Sequence, residues 1–156
     1  MDRTDLKLLA LLQEDAALTI QELAERVRLS VTPCWRRIQK LEAAGVIQRR
    51  VTLLDPAKLG VGVTVFVRIK TRQHSIEWYR RFAKAVAAIP EIVEFYRMSG
   101  DVDYLLKILV PDIAGYDAVY KRLISSIDLE DVSSSFALER IKSTTAVPLG
   151  YVVPED

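Results

Sequence analysis

The chain has a single cysteine and a single histidine in 156 residues. A lone Cys34 permits no internal disulfide and no cysteine-rich metal site. His74 sits in a polar stretch with no second histidine or cysteine nearby, so it supports neither a zinc set nor a Ser–His–Asp arrangement. No glycine-rich phosphate loop is present, and there is no internal repeat or low-complexity segment. No apolar run reaches the length of a membrane span. The opening residues Met1-Asp2-Arg3-Thr4-Asp5 lack a basic stretch leading into an apolar one, so no secretory signal is expected. These absences predict a cytoplasmic protein with no catalytic residues, no metal and no bound cofactor, and no membrane partner.

What is present is an ordinary globular composition, 50% apolar and 28% charged, with a formal net charge of +1. The length suits one medium domain or two small ones. The near-neutral total hides an asymmetry. Met1–Val27 holds three basic residues (Arg3, Lys7, Arg26) against six acidic ones (Asp2, Asp5, Glu14, Asp15, Glu22, Glu25). Arg28–Arg50 holds six basic residues (Arg28, Arg36, Arg37, Lys40, Arg49, Arg50) against Glu42 alone. So local an excess of positive charge is a footprint for a polyanion unless it is a solvated helix face.

Periodicity places that charge. Leu6, Leu8, Leu9, Leu11 and Leu12 predict a first helix with a broad buried face. Thr19 and Glu22 have capping-box spacing ahead of a short helix with Ile20, Leu23, Ala24 and Val27 inward. Arg28-Leu29 turns the chain, Ser30 can cap again, and Pro33 suits the first turn of a third helix. That helix is expected to run from Val31 to Ala44 and stop at Gly45. Cys34, Ile38 and Leu41 form its buried stripe, which leaves Thr32, Arg36, Gln39 and Lys40 on the opposite side with Trp35 and Arg37 flanking. Two short helices joined by a tight turn, the second with a basic outward face, predict a helix-turn-helix. Ser30, Thr32 and the early amides around Pro33 can meet phosphates. Arg36, Gln39 and Lys40 are long enough to reach base edges in the major groove. Gln48–Leu54 reads as a strand or wing, with Arg49 and Arg50 suited to the flanking backbone.

Past Asp55-Pro56 and Leu59-Gly60 the texture changes. Strands are expected over Val61–Thr71, Ile92–Met98, Tyr104–Val110 and Val132–Ile141, the third nearly continuous in apolar residues, as near a sheet centre. Between them fall a helix capped by Ser75, with Tyr79, Phe82, Ala83, Val86 and Ile89 inward, and a helix opened by Pro111-Asp112, with Ile113, Tyr116, Tyr120, Leu123, Ile124 and Ile127 inward. An extended tail over Thr144–Val153 follows. The expected fold class is α+β: an N-terminal winged helix-turn-helix over residues 1–50, a linker strand over 51–60, and a ferredoxin-like βαββαβ sandwich over 61–156.

The run Ser30-Val31-Thr32-Pro33-Cys34-Trp35-Arg36-Arg37-Ile38, followed by Leu41-Glu42-Ala43-Ala44-Gly45-Val46-Ile47, resembles the recognition-helix signature of the leucine-responsive/asparagine-responsive regulators. Ser99-Gly100-Asp101-Val102-Asp103-Tyr104-Leu105-Leu106 resembles the glycine–aspartate loop of that family's amino-acid-sensing domain. The resemblance implies a transcriptional regulator that binds double-stranded DNA. It also implies homodimers formed by pairing sensor-domain sheets, assembly commonly to octamers, and a small amino-acid effector held where sensor domains meet. By motif position Met98, Gly100, Asp101, Asp103 and Tyr104 would form one side of that site, and Ser133, Ser134, Ser135 and Phe136 the other. An aspartate suits the effector's ammonium, and loop amides and hydroxyls suit its carboxylate; aspartates also recur in such loops for turn formation alone. Ile69-Lys70-Thr71, Glu77-Trp78-Tyr79 and Ser134-Ser135-Phe136-Ala137 are similar to a subgroup that includes a cysteine-responsive regulator, which favours cysteine as effector. Three other readings compete: an architectural DNA-wrapping protein with little effector response, a small enzyme on the ferredoxin-like domain, and RNA binding through its sheet. The last lacks the stacking aromatics that such a sheet needs.

Overall fold

Asp2 accepts the amides of Thr4 and Asp5 at 2.8 and 2.9 Å, and the Asp5 carboxylate accepts the Asp2 amide in return at 3.1 Å. This reciprocal cap starts α1 (Arg3–Glu14) several residues earlier than apolar periodicity suggests, because the cap is built from polar residues. The computed structural model describes residues 1–155, and these divide into two units: Met1–Thr52 with the C-terminal segment from Lys142, and Leu53–Ile141.

In the first unit α1 packs with α2 (Ile20–Val27) and α3 (Val31–Ala43) around Leu8, Leu12, Leu23, Ala24, Cys34 and Ile38. No strand forms along Gln48–Leu54. The segment is rich in strand formers, but a ladder needs a partner strand, and the chain provides none there. The C-terminal segment from Lys142 clusters with this unit. The Val147 amide donates to Gln13 Oε1 at 2.9 Å, and Gln13 Nε2 donates back to the Val147 carbonyl at 3.2 Å. That two-way amide pairing fastens the segment to α1, with a single 3-10 turn at Leu149–Tyr151 beyond it.

The second unit runs β1 (Val63–Lys70), α4 (Ile76–Ala87), β2 (Ile92–Arg97), β3 (Tyr104–Val110), α5 (Ile113–Ser126) and β4 (Asp131–Phe136). The strands form one antiparallel sheet in the order β2-β3-β1-β4, as the βαββαβ reading requires. β3 has a neighbour on each side, which accounts for its apolar run. Alternation sends Val65, Val67, Ile69, Leu106 and Ile108 under the two helices. Phe66, Arg68, Leu105 and Lys107 fall on the other face, which no element of this unit covers.

Two helix faces are rotated from the expected ones. On α4 Trp78, Phe82 and Val86 are buried, whereas Tyr79 is 44% exposed. On α5 Val119 and Leu123 are buried, with Ile127 just beyond, and Ile113 and Ile124 lie outside. In both cases more large apolar residues were present than one stripe could hold. Packing chose the set that meets the sheet.

Candidate functional site

The bend between α2 and α3 is made by local chemistry. Thr19 Oγ1 accepts the Glu22 amide at 3.2 Å, and Glu22 Oε2 accepts the Thr19 amide at 2.7 Å, the capping box expected at the start of α2. The Thr19 amide and, after it, the Thr19 hydroxyl, which donates to Glu22 Oε2 at 2.8 Å, hold the Glu22 carboxyl below the usual carboxylate range. Arg28 closes α2 in the left-handed region, with φ 58°. Its amide still reaches Glu25 O at 3.2 Å, so the chain reverses without losing its hydrogen bonds. Ser30 occupies the N-cap of α3, but its hydroxyl makes no cap hydrogen bond, which corrects the expected second cap. Pro33 falls in the first turn, where its missing N–H costs nothing.

α3 buries Cys34, Ile38 and Leu41, and burial pushes the Cys34 thiol up, so it stays protonated. Thr32, Trp35, Arg36, Gln39 and Lys40 lie exposed on the other side, Trp35 at 50%. Within the expected set of side chains, Arg37 is the exception. Its Nη1 donates to Asp2 Oδ2 at 2.6 Å and to Asp5 Oδ1 at 2.8 Å, so it faces α1 and braces the helix from behind. Those carboxylates raise the guanidinium's affinity for its proton. The Asp5 amide, and after it Arg37, hold the Asp2 carboxyl low. Periodicity left Arg37 at the edge of the outward face. The signal that could have moved it was the pair of aspartates opening α1.

Glu42 gathers two more of the predicted residues. Gln39 Nε2 donates to it at 2.8 Å, and Arg50 Nη2 donates at 3.2 Å. Among the described residues Arg36, Lys40 and Arg49 form no ion pair. This unit therefore exposes cations without ion-pair partners from α3 and from the segment that follows it. The Met1 ammonium and, after it, the nearby Lys40 hold the Glu155 carboxyl low.

In the sandwich, the loop after β2 reverses through Gly100 at φ 108°, a conformation that favours glycine. Its two aspartates differ. Asp103 Oδ2 accepts the buried Thr71 amide at 2.8 Å, and the Asp103 amide donates to Ile69 O at 3.0 Å, so this residue is bound to the end of β1. Asp101 is exposed and makes no side-chain hydrogen bond among the described residues, and Met98 beside it is 42% exposed. Tyr104 does not lie with them. It is 5% exposed, with its ring 5.0 Å from Phe82 and 5.8 Å from Trp78, and burial pushes its phenol up. It is a core residue because it begins β3 in register with Ile69 on the helix-covered face.

β4 likewise splits the expected quartet. Ser134, opposite Val67, and Phe136, opposite Val65, turn under the helices. There the Ser134 hydroxyl meets that of Tyr116, and Phe136 packs edge-on against the Tyr116 ring. Ser133 and Ser135, opposite Arg68 and Phe66, turn to the helix-free face, where Arg68 donates to Ser133 Oγ at 3.0 Å. A strand cannot offer four consecutive side chains to one site. That open face also carries Tyr96 and Lys107, both bonded to Glu94 at 2.7 and 2.6 Å. Lys107 and, after it, Tyr96 keep the Glu94 carboxyl low.

Comparison with known proteins agrees with both units. Residues 1–48 match a winged helix-turn-helix DNA-binding model, and residues 64–147 match the Lrp/AsnC ligand binding domain. The chain is 52% identical over 150 residues to the DNA-binding transcriptional activator DecR of Escherichia coli K12, covering 96% of this chain and 99% of that one. It superposes with a TM-score of 0.95 and 62% identity on an AsnC family transcriptional regulator from Agrobacterium tumefaciens, covering 98% and 100% of the two chains. A transcriptional regulator from Neisseria meningitidis, solved in complex with L-Met, matches at 0.93 and 36% identity over 98% and 99%. These relatives are regulators and not enzymes, which removes the enzyme reading. The chain belongs to the Lrp/AsnC family of DNA-binding transcriptional regulators, with a helix-turn-helix followed by that family's ligand-binding domain.

Proposed function

We propose that α3 enters the major groove of a specific operator and that a small amino acid tunes this binding through the sandwich. The observation that carries the first half is the set of exposed cations Arg36, Lys40 and Arg49, none of which forms an ion pair among the described residues. Arg36, Gln39 and Lys40 read base edges. Ser30, with its uncommitted hydroxyl, Thr32 and the start of α3 around Pro33 and Trp35 meet the phosphates, aided by the helix N-terminus. Arg49 and Arg50 hold the flanking backbone. Arg50 and Gln39 first leave Glu42, an exchange of exposed hydrogen bonds that costs little.

The sensor half rests on Asp101 and Met98 in the loop and on Ser133 and Ser135 on the open face. The helix-free sheet face, with Phe66, Leu105 and Tyr96, pairs with that of a second copy, and dimers assemble further, to octamers in this reading. The dimer sets two α3 helices about one DNA turn apart, roughly 34 Å, on a partly palindromic site. The amino acid binds where copies meet, and the regulator solved with L-Met supports an effector of that class. Cysteine is the effector we favour. It acts only if it binds two assembly states with different affinity.

The test is a competition between promoter fragments and random duplex at moderate ionic strength, with and without free amino acids. Preference for one fragment, altered by cysteine, supports the reading. Equal affinity for every duplex turns it into DNA wrapping. Preference altered by another amino acid and not by cysteine keeps the reading and removes the effector.

A further inference from the structure

At the end of the sandwich where β1 gives way to α4, the two helices part around a cleft of about 510 Å³. Gln73, Trp78 and Arg81 line it from the α4 side, and Ile124, Ser126 and Asp128 from the α5 side. The volume falls within the range of sites for small molecules, about 300–1,000 Å³. Trp78, 1% exposed, is fixed by the bond from its Nε1 to the Asp128 carbonyl at 3.3 Å.

The two walls have opposite polarity. Arg81 is exposed and has no ion-pair partner among the described residues. The facing wall is the C-terminal end of α5. A helix end of this kind leaves backbone carbonyls without intrahelical partners and carries partial negative charge. A basic side chain in the last turn of a helix offsets that charge. α5 has none there, and its Ser125 and Ser126 hydroxyls donate to the Arg122 carbonyl instead of reaching outward. Asp128, likewise unpaired among the described residues, adds a full negative charge beside it. Ile124, 44% exposed, supplies an apolar patch.

We propose that this cleft binds a free α-amino acid within a single chain, with its carboxylate on Arg81, its ammonium on the α5 terminus and Asp128, and its side chain against Ile124. A guanidinium opposite an anionic helix end matches the two charges of a zwitterion and fits neither a simple anion nor a simple cation as well. The site is separate from the loop around Asp101 and does not depend on a second copy. It stands whether or not the chain recognises an operator. The Trp78 ring that lines it lies 5.8 Å from Tyr104, which directly follows Asp103.

The chain has two tryptophans, so Trp35→Phe leaves Trp78 as the sole one. In that full-length background, titration with individual free amino acids should give a saturable change in Trp78 fluorescence. N-acetylated and amide forms of the same amino acid, each lacking one charge, should bind about tenfold more weakly or worse. Arg81→Ala and Asp128→Asn should each weaken binding by a similar factor. Arg81→Lys should lose less. The proposal is overturned if no amino acid alters the signal at millimolar concentration. It is also overturned if Arg81→Ala and Asp128→Asn, folded by the criterion of unchanged melting temperature, bind as tightly as their parent. A response abolished by Asp101→Asn and untouched by Arg81→Ala would assign the ligand to the loop and leave the operator reading intact.

Discussion

Arg37 Nη1 donates to Asp2 Oδ2 at 2.6 Å, joining the helix placed for DNA to the residue that caps α1. Its neighbour Arg36 points the other way, exposed and without an ion-pair partner among the described residues. Two adjacent arginines thus carry different tasks, and substitution should separate them. Arg37→Ala should lower the melting temperature and weaken binding to all duplexes alike, because the angle of α3 is no longer braced. Arg36→Ala should leave the melting temperature unchanged, weaken operator binding by about 1–3 kcal/mol and relax base preference at one position. Thermal melts beside a binding series on single-base operator variants decide it. Identical behaviour of the two variants in both assays would refute the division.

Counterion release gives a second expectation. Each cation that neutralises a phosphate adds to the salt slope of binding. Lys40 and Arg49 form no ion pair among the described residues, whereas Arg50 is held by Glu42 at 3.2 Å. Arg49→Ala should therefore reduce the slope of log K against log salt by about one. Lys40→Ala should do so only if Lys40 meets a phosphate rather than a base. Glu42→Gln, which releases Arg50, should raise affinity at low salt. A slope unchanged by Arg49→Ala would take that residue out of the interface.

Much of this architecture could be read from the sequence. The Thr19–Glu22 cap, the Cys34–Ile38–Leu41 stripe and the β3 run are local patterns, and each formed as read. The errors lie where a choice depended on distant residues. Whether Trp78 or Tyr79 turned inward depended on which one met Tyr104 and Asp128. Arg37 could not be assigned without knowing that α1 lies behind α3. The return of the C-terminal segment to the first unit rests on Gln13 and on the pairing of Met1 with Glu155, neither of which carries a pattern. The Ser133–Phe136 quartet was legible as a strand, but grouping four consecutive residues into one site disregarded their alternation.

Acid should unsettle the helical unit through its caps. Asp2 and Glu22 have carboxyls held below their usual range, by the Asp5 and Thr19 amides first. A group whose folded pKa is depressed stabilises the fold above its unfolded pKa. That contribution is lost as pH falls through the folded value. The melting temperature should therefore hold from neutrality to about pH 5 and decline below about pH 4. Asp2→Asn, which keeps a cap acceptor but has no charge to lose, should melt lower at pH 7 and decline less steeply in acid. Equal acid slopes for variant and parent would remove Asp2 as a source of the effect.

The loop aspartates should part company in the same manner as the arginines. Asp103 binds the Thr71 amide at 2.8 Å, and Thr71 is 5% exposed, so removing that carboxylate leaves a buried donor unpaired. Such a loss costs about 1–3 kcal/mol. Asp103→Ala should thus lower stability by roughly that amount, and any change in effector response should come with a loosened loop. Asp103→Asn retains an acceptor and should recover most of the stability. Asp101 makes no such bond, and Asp101→Ala should leave the melting temperature within about 0.5 kcal/mol of the parent, as for most surface changes. If Asp101 meets the effector ammonium across copies, its loss should blunt the amino-acid response while DNA affinity without effector is kept. Melting curves paired with operator titrations, with and without the amino acid, make the comparison. A normal response from Asp101→Ala would move the effector out of this loop, and unchanged stability in Asp103→Ala would show that the Thr71 amide finds another partner.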